Sequence, residues 1–342
     1  MSVRSALLAL LAALLLAGCS GGSATRSDQA GALPSGSSPS SQASAGSPTT
    51  ASGASPASSG GIGDFTVGGD RPVTVHVPAG HDPDVPAPLL MLLHGYGVPA
   101  DEQEAYMRLG PVAAARGMLY LRPEGTVDTP GFRFWDATDA CCDIDGTGVD
   151  DSSYLAGLIA EVGTHVAVDP RRVFVVGHSN GAFMSYRMAC DHADLIAAIV
   201  SLAGASYGDR AACHPSEPLA VLEIHGSDDA IVRVGGGNLK GLLAPGDVRL
   251  ADYPSTEASL AAWAGYDGCT GRPDPKPGAL DLDRVLRGAN GPNETTISAY
   301  TGCVGGGSVE LWMIEGGGHD PELTADFGAT VIDFLLAHPK SR

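Results

Sequence analysis

Basic residues are scarce: Lys and Arg number 20 against 39 Asp and Glu, giving a formal net charge of −19. Binding a nucleic-acid backbone takes clustered cations, and no basic patch is present, so no nucleic-acid partner is expected. The acidity suits solubility outside a cell. Long hydrophobic runs are also missing, and the apolar run at 5–17 falls short of the roughly 20 residues that a membrane-spanning helix needs. C-x-x-C pairs are absent and Cys141 and Cys142 are adjacent, which argues against a zinc site. Asp143-Ile144-Asp145-Gly146 lacks the D-x-D-x-D-G spacing of a calcium loop, so no metal is expected.

The start of the chain is a leader rather than structure. Residues 1–4 are short and basic, 5–17 are apolar, and Leu16-Ala17-Gly18-Cys19 follows. This resembles the lipobox of bacterial lipoproteins, in which cleavage precedes the cysteine and its thiol and new amino group carry lipid. The resemblance implies export with Cys19 lipidated, and a membrane contact made by lipid chains rather than by a span. An ordinary secretory signal is the alternative. Residues 20–62 are Ser, Ala, Gly, Pro and Thr with almost no large apolar side chain. They cannot bury enough surface to fold, so they read as a tether. Residues 63–342 then form one α/β domain, expected to act as a monomer. Six cysteines remain: 141, 142, 190, 213, 269 and 303. An even count in an exported chain favours disulfides, with many connectivities open.

Within that domain, 71–77 alternates as a half-buried strand, and 89–93 is a continuous apolar run suited to a central one. A short helix is expected over 111–116, with proline in its first turn, and a strand over 118–121. Residues 151–166 place Leu155, Leu158, Ile159, Val162 and Val166 on one helical stripe, capped by Asp150 or Asp151. Further strands are expected at 173–176, 195–202, 219–224 and 309–314. Helices are expected over 256–264 and through Leu323, Phe327, Val331, Phe334 and Leu335. Strands alternating with helices mean a mostly parallel sheet covered on both faces. Ligands of such sheets bind beyond the carboxyl ends of the strands.

Candidate chemistry falls at those ends. Three G-x-S-x-G matches occur, centred on Ser20, Ser179 and Ser206. Ser20 lies beside the leader, and a polar, helix-poor stretch follows Ser206. Ser179 alone has a strand before it and a helix after it, the context of a nucleophile elbow. A serine nucleophile needs a base, and the base needs an orienting carboxylate, in the chain order Ser, Asp or Glu, His. His319 follows the strand at 309–314 through a glycine-rich loop and suits the base. His192, His214, His225 and His338 are worse placed, and His178 reads as a packing residue. Asp229 follows the strand at 219–224 and suits the acid, with Asp228 as the alternative. The oxyanion donors are expected to be the N–H of Asn180 and that of Tyr96, or else Gly97.

His94-Gly95-Tyr96-Gly97, Phe134-Trp135-Asp136, Cys141-Cys142, Val149-Asp150-Asp151, Gly177-His178-Ser179-Asn180-Gly181-Ala182, His225-Gly226-Ser227-Asp228-Asp229 and Gly316-Gly317-Gly318-His319 occur in this order. Together they resemble the secreted polyhydroxybutyrate depolymerase and feruloyl esterase family, including its lipoprotein members. The resemblance runs from about residue 70 to the end. It implies an α/β-hydrolase fold, no cofactor, and hydrolysis of carboxylic esters by Ser179, Asp229 and His319. The family typically carries Trp near the catalytic histidine, where this chain has Asp320-Pro321. The resemblance also favours a Cys269–Cys303 disulfide, leaving Cys141 and Cys142 to pair with Cys190 and Cys213. Feruloyl or acetyl esters of polysaccharide are the leading substrates and polyhydroxyalkanoate the next. A surface-binding lipoprotein without turnover is the non-enzymatic alternative. Phe132, Phe134 and Trp135 are read as an aromatic wall for a planar acyl group, or else as a core cluster.

Overall fold

Residues 89–93 and 173–176 carry no polar side chain, which suits strands covered on both sides. The computed structural model describes residues 62–243, 250–288 and 291–341; the leader, Cys19 and the tether through residue 61 lie outside the described residues. In chain order the strands are β1 (Phe65–Val67), β2 (Val73–His76), β3 (Ala87–Leu93), β4 (Leu119–Leu121), β5 (Thr126–Val127), β6 (Arg133–Phe134), β7 (Val168–His178), β8 (Ala198–Leu202), β9 (Ala220–Gly226), β10 (Asp274–Leu280), β11 (Thr295–Ala299) and β12 (Ser308–Ile314). The helices are α1 (Ala100–Met107), α2 (Leu109–Ala115), α3 (Asp151–His165), α4 (Asn180–Asp191), α5 (Lys240–Leu243), α6 (Thr256–Tyr266) and α7 (Phe327–Ala337).

One sheet takes the order β1-β2-β4-β3-β7-β8-β9-β12-β11-β10, and β5 pairs with β6 apart from it. The central strands β4, β3, β7, β8, β9 and β12 run parallel. Antiparallel pairs extend the sheet at both ends. Along β3, Leu89, Met91 and Leu93 enter the core under α3, α4 and α6, whereas Leu90 and Leu92 enter the core under α1, α2 and α7. β7 divides in the same way, with Val173 and Val175 on one side and Phe174 and Val176 on the other. Each such side chain contributes about 1.5–3 kcal/mol by leaving water. The chain winds from β3 to β4 in one direction and continues from β7 in the other. That switch opens a crevice at the carboxyl ends of β3 and β7.

Several elements differ from the sequence expectation. The helix expected over 111–116 begins at Leu109, so Pro111 falls at its third position, where an N–H has no helical partner to lose. α1, ADEQEAYM, has scarcely any apolar stripe to betray it. β10, DPKPGAL, is mostly exposed and holds two prolines, which an edge strand tolerates because no neighbour needs the missing N–H. Asp150 is the cap of α3, accepting the Ser153 N–H at 2.9 Å.

Cys269 is joined to Cys303, as the resemblance implies. The expectation that Cys141 and Cys142 pair with Cys190 and Cys213 is corrected: Cys141 is joined to Cys142, and Cys190 to Cys213. Helix geometry gives the reason. Cys141 Sγ lies 3.5 Å from the Asn180 side-chain nitrogen at the start of α4. Cys190 lies near the other end, about 15 Å further along the axis, and a disulfide needs Cα atoms within about 7 Å. The Cys190–Cys213 bond instead ties the last turn of α4 to the loop after β8.

Asp267, just after α6, is fully buried. One carboxylate oxygen accepts the Leu219 N–H at 3.3 Å, and the other has no partner among the described residues. Burial drives this carboxyl up to about 7, with the Leu219 N–H opposing only in part. The folded chain therefore keeps a proton that the unfolded chain releases near pH 4. Its stabilising contribution is full below that pH and is lost as pH rises toward 7. Asp267→Asn should thus exceed the parent in stability at pH 8 by roughly 2–4 kcal/mol and match it near pH 4. Urea unfolding at the two pH values checks this, and an equal gap at both would refute it.

Candidate active site

β7 ends at His178 and α4 begins at Asn180, so Ser179 alone turns the chain. Its backbone adopts φ 52° and ψ −119°, a region that a residue bearing a side chain enters only at a cost. The two flanking glycines make the turn possible. A Cβ on Gly177 would collide with the Gly181 carbonyl, and a Cβ on Gly181 would collide with the Leu93 carbonyl of β3. The G-x-S-x-G spacing is therefore imposed by backbone contact on both sides of the serine.

His319, in the loop after β12, places Nε2 2.9 Å from Ser179 Oγ. Its Nδ1 lies 2.8 Å from Asp229 Oδ2, in the turn after β9. The two loops are fastened to each other. The Ser227 N–H donates to Ile314 O at 3.0 Å, the Asp228 N–H to Gly317 O at 2.9 Å, and the Gly316 N–H to Ser227 Oγ at 2.8 Å. Gly226 permits this approach, since a Cβ there would strike the Gly317 and Gly318 carbonyls. Asp229, not Asp228, thus meets the imidazole; the Asp228 side chain is exposed. Asp229 Oδ1 accepts the N–H groups of Ile231 and Val232 at 2.8 and 2.9 Å. Burial opposes its ionisation, but hydrogen bonds from His225 and His319 outweigh that and hold its carboxyl well below the usual carboxylate range.

His178 packs behind the base. Its Nε2 faces His319 O at 3.2 Å and Asp320 Oδ1 at 3.4 Å, and its ring lies 5.2 Å from that of His319. Burial pushes its pKa down, and the Asp320 carboxylate opposes that shift. The Tyr106 hydroxyl donates to Pro321 O at 2.9 Å, anchoring the base loop just beyond His319.

On the opposite side of Ser179, the Gly95 N–H donates to Gln103 Oε1 at 3.0 Å and the Gly97 N–H to Arg133 O at 2.8 Å. Gly97 is therefore committed elsewhere. No hydrogen bond from the N–H of Tyr96 or Asn180 is found among the described residues. The buried His94 supports this loop, with Nδ1 2.8 Å from Gly95 O and Nε2 accepting the Gly125 N–H at 2.8 Å. Burial lowers its pKa to about 4, so the ring stays neutral and keeps one donor and one acceptor.

Phe134 and Trp135 do not line a cleft: both side chains are fully buried, which corrects the aromatic-wall reading for these two. The cause is a clamp on Asn180. Trp135 N–H donates to Asn180 Oδ1 at 2.7 Å, Asn180 Nδ2 donates to Trp135 O at 2.9 Å, and Trp135 Nε1 donates to His94 O at 3.1 Å. Phe132 is half-buried, its ring 5.7 Å from that of Tyr96.

The sequence reading passes over Glu223 and weighs His225 only as a base; both are buried on the α4 and α6 side of β9. The available signal was a glutamate inside an apolar strand with a histidine two residues on, hence on the same face. Among the described residues, no cluster of three His, Cys, Asp or Glu side chains is arranged to hold a metal ion.

Fold and site together define a protein of the α/β-hydrolase type with a hydrogen-bonded Ser–His–Asp constellation at the carboxyl ends of its strands. A family model described as "Esterase PHB depolymerase" matches residues 74–232. The chain is 28% identical to feruloyl esterase B of Piromyces equi over 252 residues, 73% of this chain and 42% of that protein. It is 23% identical to feruloyl esterase D of Neurospora crassa over 265 residues, 74% of this chain and 75% of that protein. An acetyl xylan esterase structure from Aspergillus awamori shares the fold, with a TM-score of 0.54 and 16% identity, covering 81% of this chain and 99% of that one. These matches make the chain similar to the polyhydroxybutyrate depolymerase and feruloyl esterase family. It spans about two fifths of the length of the Piromyces relative.

Proposed function

We propose that this chain is a serine esterase that hydrolyses carboxylic esters through an acyl-enzyme, with feruloyl or acetyl esters of polysaccharide as its substrates. The observation that carries the reading is the continuous chain from Ser179 Oγ through His319 to Asp229, at 2.9 and 2.8 Å. His319 takes the serine proton as Oγ attacks the ester carbonyl, and the N–H groups of Asn180 and Tyr96 hold the oxyanion. His319 next protonates the leaving alcohol and then activates the water that releases the acid, while Asp229 fixes its tautomer. The relatives named feruloyl esterase favour hydroxycinnamoyl esters. The matching family model favours polyhydroxyalkanoate as a second reading.

Labelling with a fluorophosphonate probe tests the chemistry: a binding protein that has lost turnover should stay unlabelled. Rates on methyl ferulate, acetylated xylan and polyhydroxybutyrate sort the substrates, and the polysaccharide reading fails if only the polyester is cleaved. Asp229→Ala should lower kcat by roughly 10³-fold or more, against less than about threefold for Asp228→Ala. Equal losses would overturn the assignment of the acid. Export with lipid on Cys19 is part of the same reading, supported by the leader residues. Incorporation of radiolabelled palmitate that persists in Cys19→Ser would contradict it.

A further inference from the structure

Behind the triad lies a second tier of buried, hydrogen-bonded groups that the hydrolysis steps above do not use. His225 Nδ1 is 2.8 Å from Glu223 Oε1, and its Nε2 is 2.7 Å from Val232 O and 3.4 Å from Asp229 Oδ2. Thr256 Oγ1, from α6, sits 3.3 Å from Nδ1. Glu223 Oε2 accepts the Tyr186 hydroxyl of α4 at 2.9 Å, and its Oε1 accepts the Gly204 N–H at 3.3 Å. Glu223 and His225 are buried to within 1% of fully. An unbroken line thus runs from Ser179 through His319, Asp229, His225 and Glu223 to Tyr186, ending on the helix that Ser179 begins.

Both ring nitrogens of His225 face oxygen acceptors, Glu223 and Asp229 among them. A neutral imidazole carries one N–H and would leave the other nitrogen's lone pair against an acceptor. The doubly protonated ring satisfies both contacts and sets a cation between two carboxylates. We propose that His225 is a positioning residue for the ester hydrolysis: an imidazolium that turns the Asp229 carboxylate toward His319 and offsets part of the negative charge which that carboxylate presents to the base. The proposal rests on the esterase reading above. Burial alone would lower the pKa of His225, but hydrogen bonds to Asp229 and Glu223 outweigh it and raise the value to about 10. The cation is therefore present throughout the range in which His319 must be neutral to act. The charged groups facing it are Glu223 on its own strand and Asp229 in the following turn, with His319 beyond Asp229; α4 and α6 contribute only the hydroxyls of Tyr186 and Thr256.

Neutralising the tier exposes His319 to the full charge of Asp229, so the base holds its proton to higher pH. In His225→Gln, the acid limb of the kcat/KM profile on p-nitrophenyl acetate should move up by about one pH unit. A purely structural role would lower the plateau and leave the limb where it is. A second measurement needs no substitution. In ¹⁵N-histidine-labelled parent protein, both ring nitrogens of His225 should carry protons at pH 8, and one bare nitrogen there would overturn the proposal. An active parent with an unmoved limb in His225→Gln sinks the proposal alone. A parent inactive on every ester sinks the esterase reading, and the proposal with it.

Discussion

Ser179→Ala is expected to cost about 10³- to 10⁵-fold in kcat on any ester the parent cleaves, without loss of folded protein. Among the described residues the hydroxyl makes one hydrogen bond, to His319 Nε2 at 2.9 Å, and the methyl that replaces it fits the same turn. His319→Ala should cost a similar factor. The double variant should be little worse than either single one, because each change alone removes the same proton-coupled attack. The measurement is kcat on p-nitrophenyl acetate alongside a thermal unfolding midpoint. A Ser179→Ala protein that keeps its midpoint and turns over within tenfold of the parent would move the nucleophile elsewhere. A protein that loses both would leave the chemical assignment to the fluorophosphonate label.

Gly177→Ala carries the largest expected loss of stability. A Cβ at this position runs into the Gly181 carbonyl and the Ser185 hydroxyl. The first is backbone of the helix that Ser179 begins, so relief requires the elbow itself to open. A loss above roughly 3 kcal/mol, or failure to accumulate folded protein, is the expected result. Gly163→Ala is the control, since among the described residues nothing beyond the backbone of α3 itself lies within 4 Å of the added carbon. Helix propensity there predicts a gain of about 0.5–1 kcal/mol. Urea unfolding midpoints compare the two, and a mild effect at Gly177 would mean that the glycine spacing reflects something other than crowding.

The central strands and the chain order of Ser179, Asp229 and His319 were legible in the sequence because strong local rules apply to each. A run such as 89–93, apolar on both faces, has few alternatives to a central strand. A serine between glycines is distinguished by what precedes and follows it. The choice between Asp228 and Asp229 was not settled there, because one residue decides which side of a turn a side chain takes. In the structure it is Asp229 that lies against the imidazole, held there through main-chain bonds to Gly317 and Ile314, residues far along the chain. Edge strand β10 was illegible because exposure removes the period-two pattern on which strand reading rests. The cysteine pairing failed for a different reason. The pairing of Cys141 and Cys142 with Cys190 and Cys213 was only what remained once Cys269 and Cys303 were joined, whereas the loop of Cys141 meets α4 at Asn180, at the opposite end of that helix from Cys190.

Since the acid turn and the base loop are stitched together through main-chain groups and the Ser227 hydroxyl, imidazole and carboxylate travel as one piece. Side chains at the rim, Asp320 and Glu322 among them, can be exchanged without cutting a stitch. Substitution of those two side chains is expected to leave the His319–Asp229 pair in register.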